Sequence, residues 1–129
     1  MTKPVKSAIV TADAPKPMGP YSQGIAIGQL LFTAGIGPLT PGTGEIPAGI
    51  TEQTRLVLRS LAAVLAQRGA TLDDAVKVTV HLADLADFNE FNAAYREFFT
   101  EPYPVRTTVG SQLPGILVEI DVVAAIPEG

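Results

Sequence analysis

The chain has 129 residues, of which 47% are hydrophobic and only 17% charged, and 9 basic against 13 acidic side chains give a net charge of −4. A chain of this length suits one compact domain over residues 1–129, and a charged share below the ~25% usual for soluble domains hints at surface buried against a partner. The absence of cysteine excludes disulfides, thiolate nucleophiles and zinc–sulfur sites, and no Lys/Arg cluster marks a nucleic-acid or membrane-surface binder.

In chain order, Ala8-Ile9-Val10 is a short apolar patch ahead of a stretch punctuated by Pro15, Pro17 and Pro20. Residues Gln23–Ile27 and Leu30–Ala34 are apolar runs joined by Gly28-Gln29, which predicts a β-hairpin with a tight turn. Pro38–Gly49, rich in proline and glycine, reads as a loop. Over Thr51–Arg68 the apolar spacing changes to a helical period, with Leu58, Leu61, Ala62, Leu65 and Ala66 on one face and Gly69 as the stop. Ala75–Leu82 alternates and is β-branched, so a strand. Asp87 and Glu90 resemble a capping box opening a second helix, whose Phe88, Phe91, Tyr95, Phe98 and Phe99 form an aromatic face expected to be core. Strands over Val105–Ser111 and Leu117–Ala125 follow, separated by Leu113-Pro114-Gly115.

The order β-β-β-α-β-α-β-β predicts an α+β fold, one mixed sheet carrying both helices on a single face. The other face then needs a cover, and a second copy of the chain is the natural one. No apolar stretch approaches the ~20 residues of a bilayer span, and Met1–Ala14 has no signal-like apolar run, so a soluble cytoplasmic protein is expected.

Several kinds of chemistry are absent. His81 is the only histidine, which leaves no metal-binding pair and gives it a structural or solvent-exposed role. Pro41-Gly42-Thr43-Gly44 lacks the lysine and following helix of a phosphate loop. Two charges look out of place: Arg106 enters a β-branched strand, and Glu119 interrupts the apolar run Leu-Val-Glu-Ile-Asp-Val-Val. A carboxylate on a buried strand costs several kcal/mol unless paired, and ionisable groups kept in such places often do chemistry. A solvated or ion-paired edge strand is the alternative.

Taken together the segments resemble a known family. Gly19-Pro20-Tyr21-Ser22-Gln23-Gly24, then Asp84-Leu85-Ala86-Asp87-Phe88 with Asn92, Tyr95, Phe98 and Phe99, then Pro104-Val105-Arg106-Thr107 with Leu113-Pro114 and Val118-Glu119-Ile120, are similar to the ordered signatures of RidA/YjgF proteins. The resemblance spans nearly the whole chain. It implies a chorismate-mutase-like protomer, a barrel-like homotrimer with clefts between subunits, and no organic cofactor or metal. The implied activity is hydrolysis of reactive enamines and imines, such as 2-aminoacrylate and other 2-imino acids, to 2-keto acids and ammonia, as in 2-iminobutanoate/2-iminopropanoate deaminases. Arg106 matches the substrate-gripping arginine, Glu119 the acid that orients water and moves a proton, and Tyr21 a tyrosine lining the pocket from a neighbouring subunit. Asn92 matches a position near the site, and Gly35 and Thr108 would contribute backbone groups.

The chain also departs from the pattern. Where many relatives have Ser-Gly-Gln after the second strand's threonine, it has Ala34-Gly35-Ile36, and losing one polar contact there costs on the order of 1 kcal/mol. Thr108 stands where many relatives carry cysteine, and the segment between Phe99 and Arg106 is shorter. Ala34 and Ile36 keep open a specialised deaminase or tautomerase acting on a related enamine or keto acid; the other alternative is a trimeric, non-enzymatic binder in which Arg106 merely holds a small carboxylate.

Overall fold

Glycines set the turns where the sequence places them. In the computed structural model, which describes residues 3–128, β2 (Gly24–Ile27) and β3 (Leu30–Thr33) are joined by Gly28-Gln29 with Gly28 at φ 57°. Met1, Thr2 and Gly129, the outermost positions of the expected domain, lie outside the described residues. β1 (Ser7–Ile9) precedes the hairpin and pairs with β2, and α1 (Ile50–Ala66) follows the long loop. Val57, Leu58, Leu61, Val64 and Leu65 are fully buried along one stripe of α1, and Gly69 ends the region in the left-handed conformation at φ 73°.

The second helix begins differently from expectation. A 3-10 turn over Leu85–Asp87 precedes α2 (Phe88–Arg96), and Asp87 makes no side-chain cap bond. Asp84 does the capping instead, its Oδ1 accepting from the Ala86 N–H at 2.9 Å, because the extra turn moves the first free backbone donors upstream. A reciprocal box forms at Thr71 and Asp74, ahead of β4 (Ala75–Leu82). Since α2 stops at Arg96, Phe98 and Phe99 pack from the segment beyond it rather than from the helix.

β5 (Val105–Gly110) and β6 (Val118–Ala125) complete a mixed six-stranded sheet of order β1-β2-β3-β6-β4-β5. Only β4 and β5 run parallel, with α2 in the crossover between them. β6 is a central strand and β5 an edge, so Arg106 fits the edge-strand alternative and Glu119 does not. The register fixes which way each side chain points. Val78, Val80, Leu82, Val118, Ile120 and Val122 are buried against the helices, and Arg106 and Thr108 stand in line with Val78 and Val80 on that same face. Glu119 and Asp121 pair with His81 and Thr79 on the opposite face. That second face carries no helix, and Leu30, Phe32, Val105 and Val109 remain 39–66% exposed on it.

Candidate active site

Glu119 is held in place from two sides. β6 presents it half-buried, and the segment leaving β3 returns along β6 through paired backbone bonds between Ile36 and Ile120, at 2.9 and 3.1 Å. That pairing brings Gly35 against the carboxylate so closely that a Cβ there would lie 3.0 Å from the Glu119 carboxyl carbon and 3.2 Å from Oε2. Gly35 is thus a glycine of close approach: any side chain would push the acid aside. Ile36 points into the core, at 4% exposure, so the isoleucine replacing the family's glutamine mainly fills core space. Ala34 is likewise packed against the core.

Tyr21 reaches the same cavity, a space of about 460 Å³ lined also by Gly35, Glu119, Leu113 and Pro114. Its arm is moored by Gln23, which stands just ahead of β2 rather than in it. Gln23 is buried, accepts from the Thr11 N–H at 2.8 Å, and donates to the carbonyls of Thr11, Ala14 and Pro15 at 2.9–3.3 Å. A buried amide whose oxygen and nitrogen are both bonded to the backbone ties Thr11–Pro15 to the start of the hairpin. The Tyr21 hydroxyl accepts from the Met18 N–H at 3.0 Å and keeps its own proton to donate.

Arg106 occupies a second cavity, about 360 Å³, with Asn92, Tyr95, Arg96, Tyr103 and Pro104. Its guanidinium lies 4.8 Å from the ring centre of Tyr95, 5.5 Å from Phe91 and 5.7 Å from Phe88. The aromatic face of α2 is therefore more than core. It is a π platform holding a cation, in which Tyr95 is tilted against Phe91 and stacked on Phe99. Burial raises the Tyr95 pKa, against the opposing pull of the Arg106 charge. The hydroxyls of Tyr95 and Thr108 are buried with no hydrogen-bond partner among the described residues. The Ser111 N–H donates to the Leu82 carbonyl, so by strand alternation Thr108 turns its backbone N–H and C=O to the free edge of β5.

One chain thus splits the expected set in two. Tyr21, Gly35 and Glu119 share one cavity; Asn92 and Arg106 share another, with Thr108 next to Arg106 on β5. Arg106 and Glu119 lie on opposite faces of the sheet, and neither takes part in a salt bridge among the described residues. Lys77, His81 and Asp121 also stand on the open face, where burial raises the Asp121 pKa against the pull of His81 and Lys77. His81 is bonded through Nδ1 to the Ser111 hydroxyl at 2.7 Å, in keeping with a structural role. Among the described residues no group of three or more His, Asp or Glu could hold a metal ion, and no helix is long and apolar enough to cross a membrane.

A mixed six-stranded sheet, two helices on one face and a carboxylate pinned in a cavity on the other define an α+β protein of the kind the sequence resemblance implies. Comparison with known proteins agrees. Residues 11–126 match the family described as Endoribonuclease L-PSP, and a RutC family protein of Pyrococcus abyssi is 48% identical, over 92% of this chain and 96% of its own. TdcF of Escherichia coli, described as a candidate reactive intermediate deaminase, is 40% identical over 93% of this chain and 97% of its own. The crystal structure of E. coli TdcF with bound serine superposes with a TM-score of 0.87 at 38% identity, covering 92% of this chain and 98% of that one. RidA from an Antarctic Psychrobacter superposes with a TM-score of 0.89 at 34% identity, covering 93% and 99%. The chain belongs to this family, the RidA/YjgF family.

Proposed function

We propose that the protein hydrolyses reactive 2-imino acids and their enamine tautomers, 2-aminoacrylate among them, to 2-keto acids and ammonia without a cofactor. The clefts lie between subunits of a cytoplasmic homotrimer, where Arg106 of one protomer meets Glu119 of the next. The observation carrying this reading is the division of the site: two charges suited to one small zwitterionic substrate stand on opposite faces of one sheet, neither in a salt bridge among the described residues. A single chain cannot close such a site, whereas a second copy laid on the exposed apolar face can.

The parts then have distinct tasks. Arg106, oriented by its aromatic platform, grips the substrate carboxylate through two parallel charge-assisted hydrogen bonds. The outward backbone N–H of Thr108 adds a donor, and Asn92 positions the wall beside it. Glu119 takes a proton from water as its oxygen adds to the imine carbon, and the C=N π pair moves to nitrogen. Glu119 passes that proton to the nitrogen to give the carbinolamine; it then takes the hydroxyl proton as C=O forms and hands it to the nitrogen as the C–N bond breaks, releasing ammonia. Gly35 lets the substrate approach Glu119 closely, and the Tyr21 hydroxyl donates to the developing oxygen. A net charge of −4 favours a small substrate over RNA.

An amino-acid oxidase supplying imino acids, with keto-acid release followed, tests the reading. Wild-type acceleration reduced roughly 10–100-fold in kcat/KM by Arg106→Ala is expected for a lost charge-assisted carboxylate grip. No acceleration with any of several imino acids would overturn it.

A further inference from the structure

The cavity that holds Glu119 has a second, apolar end. Beyond Tyr21 and Gly35 its walls include Met18, Leu39, Ile46 and Ile116 together with Lys16 and Gln112, and Lys16, Met18 and Leu39 also line a further hollow of about 260 Å³ beside Thr40 and Pro41. Met18 is 82% and Ile46 44% exposed, so large apolar side chains face open space next to the proposed reacting carboxylate. Isolated exposed apolar residues need no explanation; a walled cluster continuous with an acid does.

These walls are built, not incidental. The loop between Leu39 and Ile46 closes on itself: the Thr40 N–H donates to the Glu45 carbonyl and the Gly44 N–H to the Thr40 carbonyl, both at 2.8 Å. Gly42 and Gly44 take φ of 87° and 75°, a conformation that β-carbon-bearing residues rarely adopt. The closure sets Leu39 and Ile46 at the two legs of a fixed turn. At the base, a Cβ on Gly37 would lie 3.2 Å from both the Leu39 and Ile116 methyl carbons, so Leu39 is seated against the backbone. Met18 is held from the other side by the Tyr21 hydroxyl, on the arm that Gln23 moors.

We infer that this apolar end is the substrate side-chain pocket and that it selects 2-imino acids with bulky aliphatic side chains, such as those formed from leucine or methionine, over the methyl-bearing imine formed from alanine. The inference rests on the imino-acid reading above for the reaction, while the pocket itself is a binding claim. With Arg106 gripping the carboxylate and Glu119 at the imine carbon, the substituent on that carbon is the group left to fill the space lined by Met18, Leu39 and Ile46. Additional buried methylenes in such a pocket are worth about tenfold or more in discrimination.

The test measures kcat/KM for the leucine-derived and alanine-derived imines with the wild type, Ile46→Ser and Met18→Ser. Both side chains are exposed, so the variants keep the fold. The wild type should favour the leucine-derived imine at least about tenfold, and each variant should cut that ratio several-fold. In parallel, calorimetry compares binding of 4-methyl-2-oxopentanoate and pyruvate, the corresponding keto acids. Preferential binding of the larger keto acid, weakened in the variants, supports the pocket even where no imine is hydrolysed, a result that would sink only the reaction. A wild type that prefers the smaller imine and the smaller keto acid, or a preference untouched by both variants, overturns the pocket.

Discussion

Placing Arg106 and Glu119 on opposite faces of one sheet makes a quantitative claim about mixtures. Arg106→Ala alone should lower activity roughly 10–100-fold, and Glu119→Gln, which removes the proton shuttle, roughly 10²–10⁴-fold. Every chain in a mixture of the two is defective. A cleft between protomers is nevertheless whole whenever its arginine comes from the Glu119→Gln chain and its acid from the Arg106→Ala chain. Random assembly from equal amounts leaves about a quarter of the clefts intact, and purified rings of three containing both chains leave about a third. Hybrids of two would leave about half, so the recovered fraction also reports the number of protomers in the ring. Co-expression with two affinity tags, tandem purification of hybrids and the oxidase-coupled assay give the number. Hybrids no more active than the average of their parents would refute the shared cleft.

Two further outcomes follow from local geometry. Gly35→Ala would put a methyl 3.0 Å from the Glu119 carboxyl carbon; the flexible acid gives way, so turnover should fall on the order of 100-fold while the circular-dichroism melt stays near wild type, and unchanged turnover would remove Gly35 from the site. Burial raises the Asp121 pKa above its ordinary 3.8, so the fold binds a proton that the unfolded chain releases. Stability is therefore full below that ordinary value and declines as pH rises through the higher folded one. Asp121→Asn, which keeps the neutral form, should melt higher than wild type at pH 7 and show little difference near pH 3; a lower melt at pH 7 would mean that attraction to His81 and Lys77 outweighs burial.

What the sequence revealed, and what it hid, divides by range. The Gly28-Gln29 turn and the stop at Gly69 are decided by one residue's freedom at positive φ and could be read directly. Arg106 and Glu119 stood out because charge in a β-branched run conflicts with its neighbours. Their opposite orientation depends on the pairing of Val78 with Arg106 and of His81 with Glu119, and no local pattern encodes that register. The cap at Asp84 was missed because a 3-10 turn has no period of its own to announce it. The sequence shows Gln23 as a motif letter and the head of a strand but not as a mooring, since its partners Thr11, Ala14 and Pro15 sit in a stretch with no regular structure. The aromatic platform had a readable signal, an arginine following a run of aromatics, but α2's spacing explains those rings equally well as core.

The sheet order assigns the two halves of the site very different local stabilities. Glu119 lies on a strand paired with β4 along its length and flanked on its other side by the Ile36 bridge at Ile120 and by β3 at Val123–Ala125, while Arg106 lies on an outermost strand attached along one side. Amides of β6 should exchange with solvent only through global unfolding, whereas β5 can peel away in a smaller, cheaper opening. A carboxylate held by Arg106 would close that opening, so affinity at the site includes the work of keeping β5 docked. A destabilising change far from the ligand, anywhere that loosens β5 from β4, would then surface as weaker binding before it surfaced as a lower melting temperature.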